Sequence, residues 1–140
     1  MLSAQYQWEA KSDIISNIES QYSTFNIVSD NALKQKDYPD SPYKICKVAI
    51  NWKPDSQKLT YRGFLYVTLC YSLPTGIEVM QGSITEYLTH EIIDNERKEK
   101  FWATDNSTYF IRNPWITPVM PDGDHGITTE VRFDIRFIEK

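Results

Sequence analysis

The residues best suited to chemistry by type and spacing are Asp122-Gly-Asp-His-Gly126, which place two carboxylates and an imidazole within five positions. Such a set suggests a metal. A calcium loop, however, needs a further acidic position and a distal Glu, and zinc wants more His or Cys than accompany these residues. The segment therefore reads as a turn before a strand, with a small enzyme site at Asp122, Asp124 and His125 as an alternative. His90 falls near the end of an expected helix, where an imidazole can meet the last carbonyls, and no recognisable nucleophile motif accompanies it as a base. Glu78, Glu86 and Glu91 read as a solvated helix face. The expectation is a non-enzymatic chain with no catalytic, cofactor-binding or metal residue.

The elements follow from Tyr61 to Ile93, the stretch around which the chain is organised. From Arg62 to Tyr71, Leu65, Val67, Leu69 and Tyr71 alternate with Phe64, Tyr66 and Cys70, so both faces are apolar and a doubly covered central strand is expected. Pro74 stops the ladder, and Thr75-Gly-Ile-Glu78 has capping-box spacing. A helix should follow, its apolar stripe formed by Met80, Ile84, Tyr87, Leu88 and Ile92, with Gln81, Ser83, Thr85, Glu86 and Thr89 facing outward.

Upstream, Leu2–Ser20 suits a helix, best from Trp8, and Thr24–Val28 a short strand. Lys34–Pro42 is a long charged loop and a candidate contact element. Tyr43–Trp52 is a strand returned by Pro54-Asp-Ser-Gln to form a hairpin with the central strand, which brings Cys46 near the Cys70 end of its partner. Two reduced buried thiols are the first reading there, a disulfide the second. Downstream, Asp94–Lys100 is a charged exit, Ser107–Arg112 a strand, and Asn113–Gly126 a proline-rich segment fit only for an edge or arm. Ile127–Ile138 closes the chain, with Val131, Phe133, Ile135 and Phe137 inward and Arg132, Asp134 and Arg136 outward. The order α-β-β-β-α-β-β predicts an α+β fold, a mostly antiparallel sheet with two helices packed on it, in a single domain.

A chain that is 41% apolar and 14% aromatic can build a core without staples. Its net charge is −4, and apart from Arg97-Lys98-Glu99-Lys100 its Lys and Arg are dispersed, which is no nucleic-acid footprint. No apolar run reaches the ~18 residues of a membrane span. Tyr38, Tyr43, Trp102, Tyr109 and Trp115 flank irregular segments and serve either as loop anchors or as interface residues. The apolar run Trp115-Ile-Thr-Pro-Val-Met120 favours an interface. The candidate interface set is Lys34, Lys36, Tyr38, Tyr43, Trp102, Trp115, Ile116, Val119, Met120 and Asp122.

Tyr61-Arg-Gly63 leading into Phe64–Tyr71, then Pro74-Thr-Gly76 and a helix, a strand around Asn113-Pro114, and the closing Val131-Arg-Phe-Asp-Ile-Arg-Phe137 together resemble the tail terminator, or tail completion, proteins of long-tailed bacteriophages. The resemblance covers most of the chain from Tyr43 onward and, more loosely, the first helix. The Asp94–Asn106 connection is longer and more charged than the family pattern, and Lys34–Pro42 has no counterpart in it. The resemblance implies a virion protein that forms a homo-oligomeric ring, typically a hexamer, on the last ring of the tail tube. Its partners would be its own copies, the tail tube protein and a head–tail connector, with DNA passing through the lumen without specific binding. An acidic chain suits such a lumen because like charge repels phosphates. The alternative is a neck or connector adaptor, or another protein-binding module.

Overall fold

The computed structural model describes residues 4–53, 60–123 and 126–140. The Pro54–Gln57 turn, Asp124 and His125 lie outside the described residues. In chain order the elements are α1 (Ala4–Gln21), β1 (Ile27–Asp30), β2 (Lys44–Trp52), β3 (Thr60–Tyr71), α2 (Ile77–Thr89), β4 (His90–Ile93), β5 (Glu96–Glu99), β6 (Phe101–Ala103), β7 (Ser107–Ile116), β8 (Met120–Asp122) and β9 (Gly126–Glu139). The main sheet runs β1-β2-β3-β9-β7-β6, with β8 continuing the line of β7 along β9. It is antiparallel except at one edge, where β1 lies parallel to β2. The fold is α+β, as the order of elements predicts. Among the described residues no helix is long and apolar enough to cross a membrane.

Both helices cover the same face of the sheet. On α1, Ala10, Ile14 and Ile18 recur every four residues and are fully buried. Beneath the helices the register stacks apolar side chains in rows. Ile50, Leu65 and Phe133 form one, Val48, Val67 and Val131 the next, and Tyr61, Phe137 and Tyr109 a third. Gly63 lies opposite Trp52 where the backbones come closest; a Cβ there would sit 2.6 Å from the Asn51 carbonyl oxygen.

Several local expectations shift. The sheet has one covered face, so β3 is central without being doubly buried; Phe64 and Tyr66 are only half-buried. The capping box does not form, because the N-cap is Gly76 in the left-handed region (φ 85°) with no side-chain cap bond, which leaves Thr75 one residue too early. The α2 stripe is Ile77, Gln81, Ile84 and Leu88, with Met80 and Tyr87 half-buried beside it. Gln81 and Thr89 thus face inward, not outward. Gln81 is satisfied there by Thr129, to whose Oγ1 its Nε2 donates at 2.6 Å, and the Thr129 hydroxyl donates onward to the Thr117 carbonyl. The first strand begins at Ile27, three residues later than the Thr24 expected.

Helix α2 ends at Thr89, and what reads as its last turn and charged exit is the β4–β5 hairpin. Asp94 (φ 53°) and Asn95 (φ 64°) form its two-residue loop, both in the left-handed region that a type I′ turn requires.

Cys46 and Cys70 are both buried free thiols. Cys46 is paired with Leu69 and Cys70 with Ile45, so the two side chains leave opposite faces of the sheet. Burial, with a smaller contribution from Cys70, pushes the Cys46 thiol up to about 12. A thiol reagent at neutral pH should therefore titrate both cysteines rapidly only after denaturation. Rapid modification of Cys46 in the folded protein would contradict this placement.

Candidate interaction surfaces

The uncovered face of the sheet is where the fold assembles what the sequence scatters. Reading across the strands, one row is Arg62, Arg136, Phe110 and Phe101. The next is Asn51, Phe64, Asp134 and Arg112, and the third is Ala49, Tyr66, Arg132 and Trp115. Four of the chain's five arginines thus share one face. Three of these guanidiniums lie on aromatic rings: Arg132 is 4.9 Å from the Phe64 centroid and 4.8 Å from that of Trp115, and Arg112 and Arg136 are 4.9 and 5.8 Å from that of Phe110.

Lys53, Arg62, Gly63, Arg112, Asp134, Ile135 and Arg136 line a cleft of about 200 Å³ on this face. Asn113 Nδ2 donates to Asp134 Oδ2 at 2.9 Å. Among the described residues, no carboxylate stands within ion-pairing distance of Arg112, Arg132 or Arg136. Arg136 is shifted below the usual guanidinium range by burial first, then by Arg62 and Arg112. The arrangement is a concave, cationic and aromatic surface able to hold an anion in bidentate fashion.

The far end of this face is closed by the two segments expected to make contacts. Gln35 Nε2 donates to Asp122 Oδ1 at 2.8 Å, which ties the Lys34–Pro42 loop to β8. Tyr38 packs edge-on against Tyr43 and donates to Cys70 Sγ, while Lys47 lies over its ring. Burial raises the Tyr38 phenol, helped by its contact with Cys70. Tyr38, Tyr43 and Asp122 therefore act as half-buried anchors, while Lys34 and Lys36 stay exposed. Along the arm, Trp115, Ile116 and Met120 are exposed, whereas Val119 turns in against the core.

Tyr109 belongs to the interior instead, and Trp102 is half-buried against it. Trp102 donates its indole N–H to the Leu88 carbonyl and stacks on Tyr109, and Tyr109 is fully buried with its hydroxyl donating to Asp13. The alternation of β7 turns Tyr109 toward the helices, and the pairing of β6 with β7 brings Trp102 onto it.

A second exposed element is the β4–β5 hairpin. Ile92 and Ile93 are 66% and 42% exposed beside Asp94 and Glu96. Its base is fixed to α2 by Arg97, whose Nε and Nη2 donate to Glu86 at 2.6 and 2.9 Å and hold that carboxyl below its usual range. His90 caps α2 through its backbone N–H, which donates to the Glu86 carbonyl, and not through its imidazole. That ring instead meets Thr89 and Arg97. Thr89 is buried and donates to the Thr85 carbonyl, so its hydroxyl is no open nucleophile. Among the described residues no cluster of three or more His, Cys, Asp or Glu is placed to hold a metal.

The sequence carried a partial signal for both surfaces. Arg132 and Arg136 alternate visibly with inward residues, and Asp94-Asn95 are residue types that tolerate the left-handed region. Neither protein-family models nor curated proteins give a match to this chain.

Proposed function

We propose that this protein is a tail terminator of a long-tailed bacteriophage, a virion protein that closes into a ring, typically a hexamer, at the head-proximal end of the tail tube. The reading begins from the sequence resemblance, and the α+β order of elements agrees with it. The observation that carries it furthest is the presence of two chemically different surfaces on one protomer, the cationic aromatic sheet face and the exposed Ile92-Ile93 hairpin. A head-to-tail ring needs two such patches, whereas a two-fold dimer would reuse one. The exposed Trp115, Ile116 and Met120 offer a further surface for the tube protein or the head–tail connector.

Light scattering on the purified chain, alone and with isolated tail tubes, tests this. A closed oligomer, or single rings capping tube ends, is the expected result. A monomer that ignores tubes would overturn it, and a monomer that joins one partner without closing would favour a neck adaptor.

A further inference from the structure

We propose that the cationic sheet face is the socket for the β4–β5 hairpin of a second copy of this chain, the contact that repeats around the ring. The inference rests on the ring reading and names the two surfaces that would meet.

The chemistry of the two is complementary. On the socket side, Arg112 and Arg136 stand in a cleft that Arg62 and Lys53 also line, and the carboxylate among its described lining residues, Asp134, is engaged by Asn113. Beside the cleft stand Trp115 and Phe101, 64% and 60% exposed. On the hairpin side, two exposed isoleucines precede a turn that carries Asp94, with Glu96 opposite Ile93. The Arg97 charge is already taken up by Glu86 and Lys98 pairs with Glu96 at 3.8 Å, which leaves Asp94 at the turn as a carboxylate with no ion pair among the described residues. The tip therefore presents apolar surface next to carboxylates, as the socket presents aromatic surface next to guanidiniums. Arginine and aromatic residues are the types enriched at protein interfaces.

Geometry prevents a copy from satisfying itself. The hairpin is bound to α2, on the helical side of the sheet, while the cleft opens on the other side. The contact must be made between copies, and because its two halves differ it propagates head to tail. Burial between copies also suits a ring that lets DNA pass, since the same guanidiniums turned to a channel would hold phosphates.

The test is charge reversal on each side and on both together, in the full chain. Arg112→Glu with Arg136→Glu, or Asp94→Lys with Glu96→Lys, should each weaken association about tenfold or more by light scattering. The chain carrying all four substitutions should recover the oligomer, because the pairing is restored with its signs exchanged. Circular dichroism and thermal melting establish that each variant is folded, and Ile93→Ser provides a charge-independent disruption of the hairpin.

A wild-type ring indifferent to both reversals and to Ile93→Ser would overturn the contact while leaving the ring reading in place. A wild-type monomer, with or without tubes, would overturn both. Binding of a fluorescent oligothymidylate by a monomeric protein, abolished by Arg112→Glu with Arg136→Glu, would reassign the face to nucleic acid and overturn the contact.

Discussion

Alanine at Phe133 is expected to destabilise the protein by about 3–5 kcal/mol, a large part of the roughly 5–15 kcal/mol that holds a domain of this size folded. Phe133 is fully buried on β9 in the row with Leu65 and Ile50, in the core that the helices cover. Truncation removes the ring and leaves a cavity that the rigid sheet fills only in part. The adjacent residue supplies the contrast. Arg132 points to the uncovered face and touches Phe64 and Trp115, so Arg132→Ala should cost about 1 kcal/mol or less. Urea titration of both variants checks the pair, and equal losses would mean that β9 is not one-sided.

Alkaline pH is expected to unfold the protein progressively from pH 10 upward. Tyr109 is raised well above its ordinary value of 10.0 by burial and by its hydrogen bond to the Asp13 carboxylate, and burial pushes Tyr71 up to about 12. Burial also raises Tyr22, Tyr38 and Tyr87. A folded-state pKa above the unfolded one means that the native state holds the proton more tightly. Stability from this source is full below pH 10 and is lost as pH rises through the window between the unfolded and folded values. Each fully linked group removes about 1.4 kcal/mol per pH unit there. Denaturant midpoints at pH 9, 10 and 11 should fall ever more steeply, with tyrosinate absorbance appearing together with unfolding, and Tyr109→Phe should flatten the decline. Constant stability from pH 9 to 11 would contradict the burial of these phenols.

Where one physical signal dominated, the chain was legible. The period-2 alternation of Val131–Phe137 named the inward face of β9 without error, and the β2–β3 hairpin formed between the strands expected to pair. Where the deciding quantity was an offset of a single residue, it was not. Thr75 and Gly76 compete for the N-cap, and the backbone at Gly76 settles it; Gln81 reads as polar and outward until Thr129 arrives to meet it. The aromatic residues of Phe64–Cys70 gave a second apolar face, and nothing local says that this face meets arginines in place of another layer.

By itself the sequence determined the α+β order, the one-sided closing strand and the central place of β3, because each follows from local periodicity or composition. Only the tertiary structure decided that Arg62, Arg112, Arg132 and Arg136, up to 74 positions apart, share a single face. Strand register sets that gathering, and register is a property of pairs of segments. A slip of one residue in any of the three strands would have turned that strand's arginines toward the core.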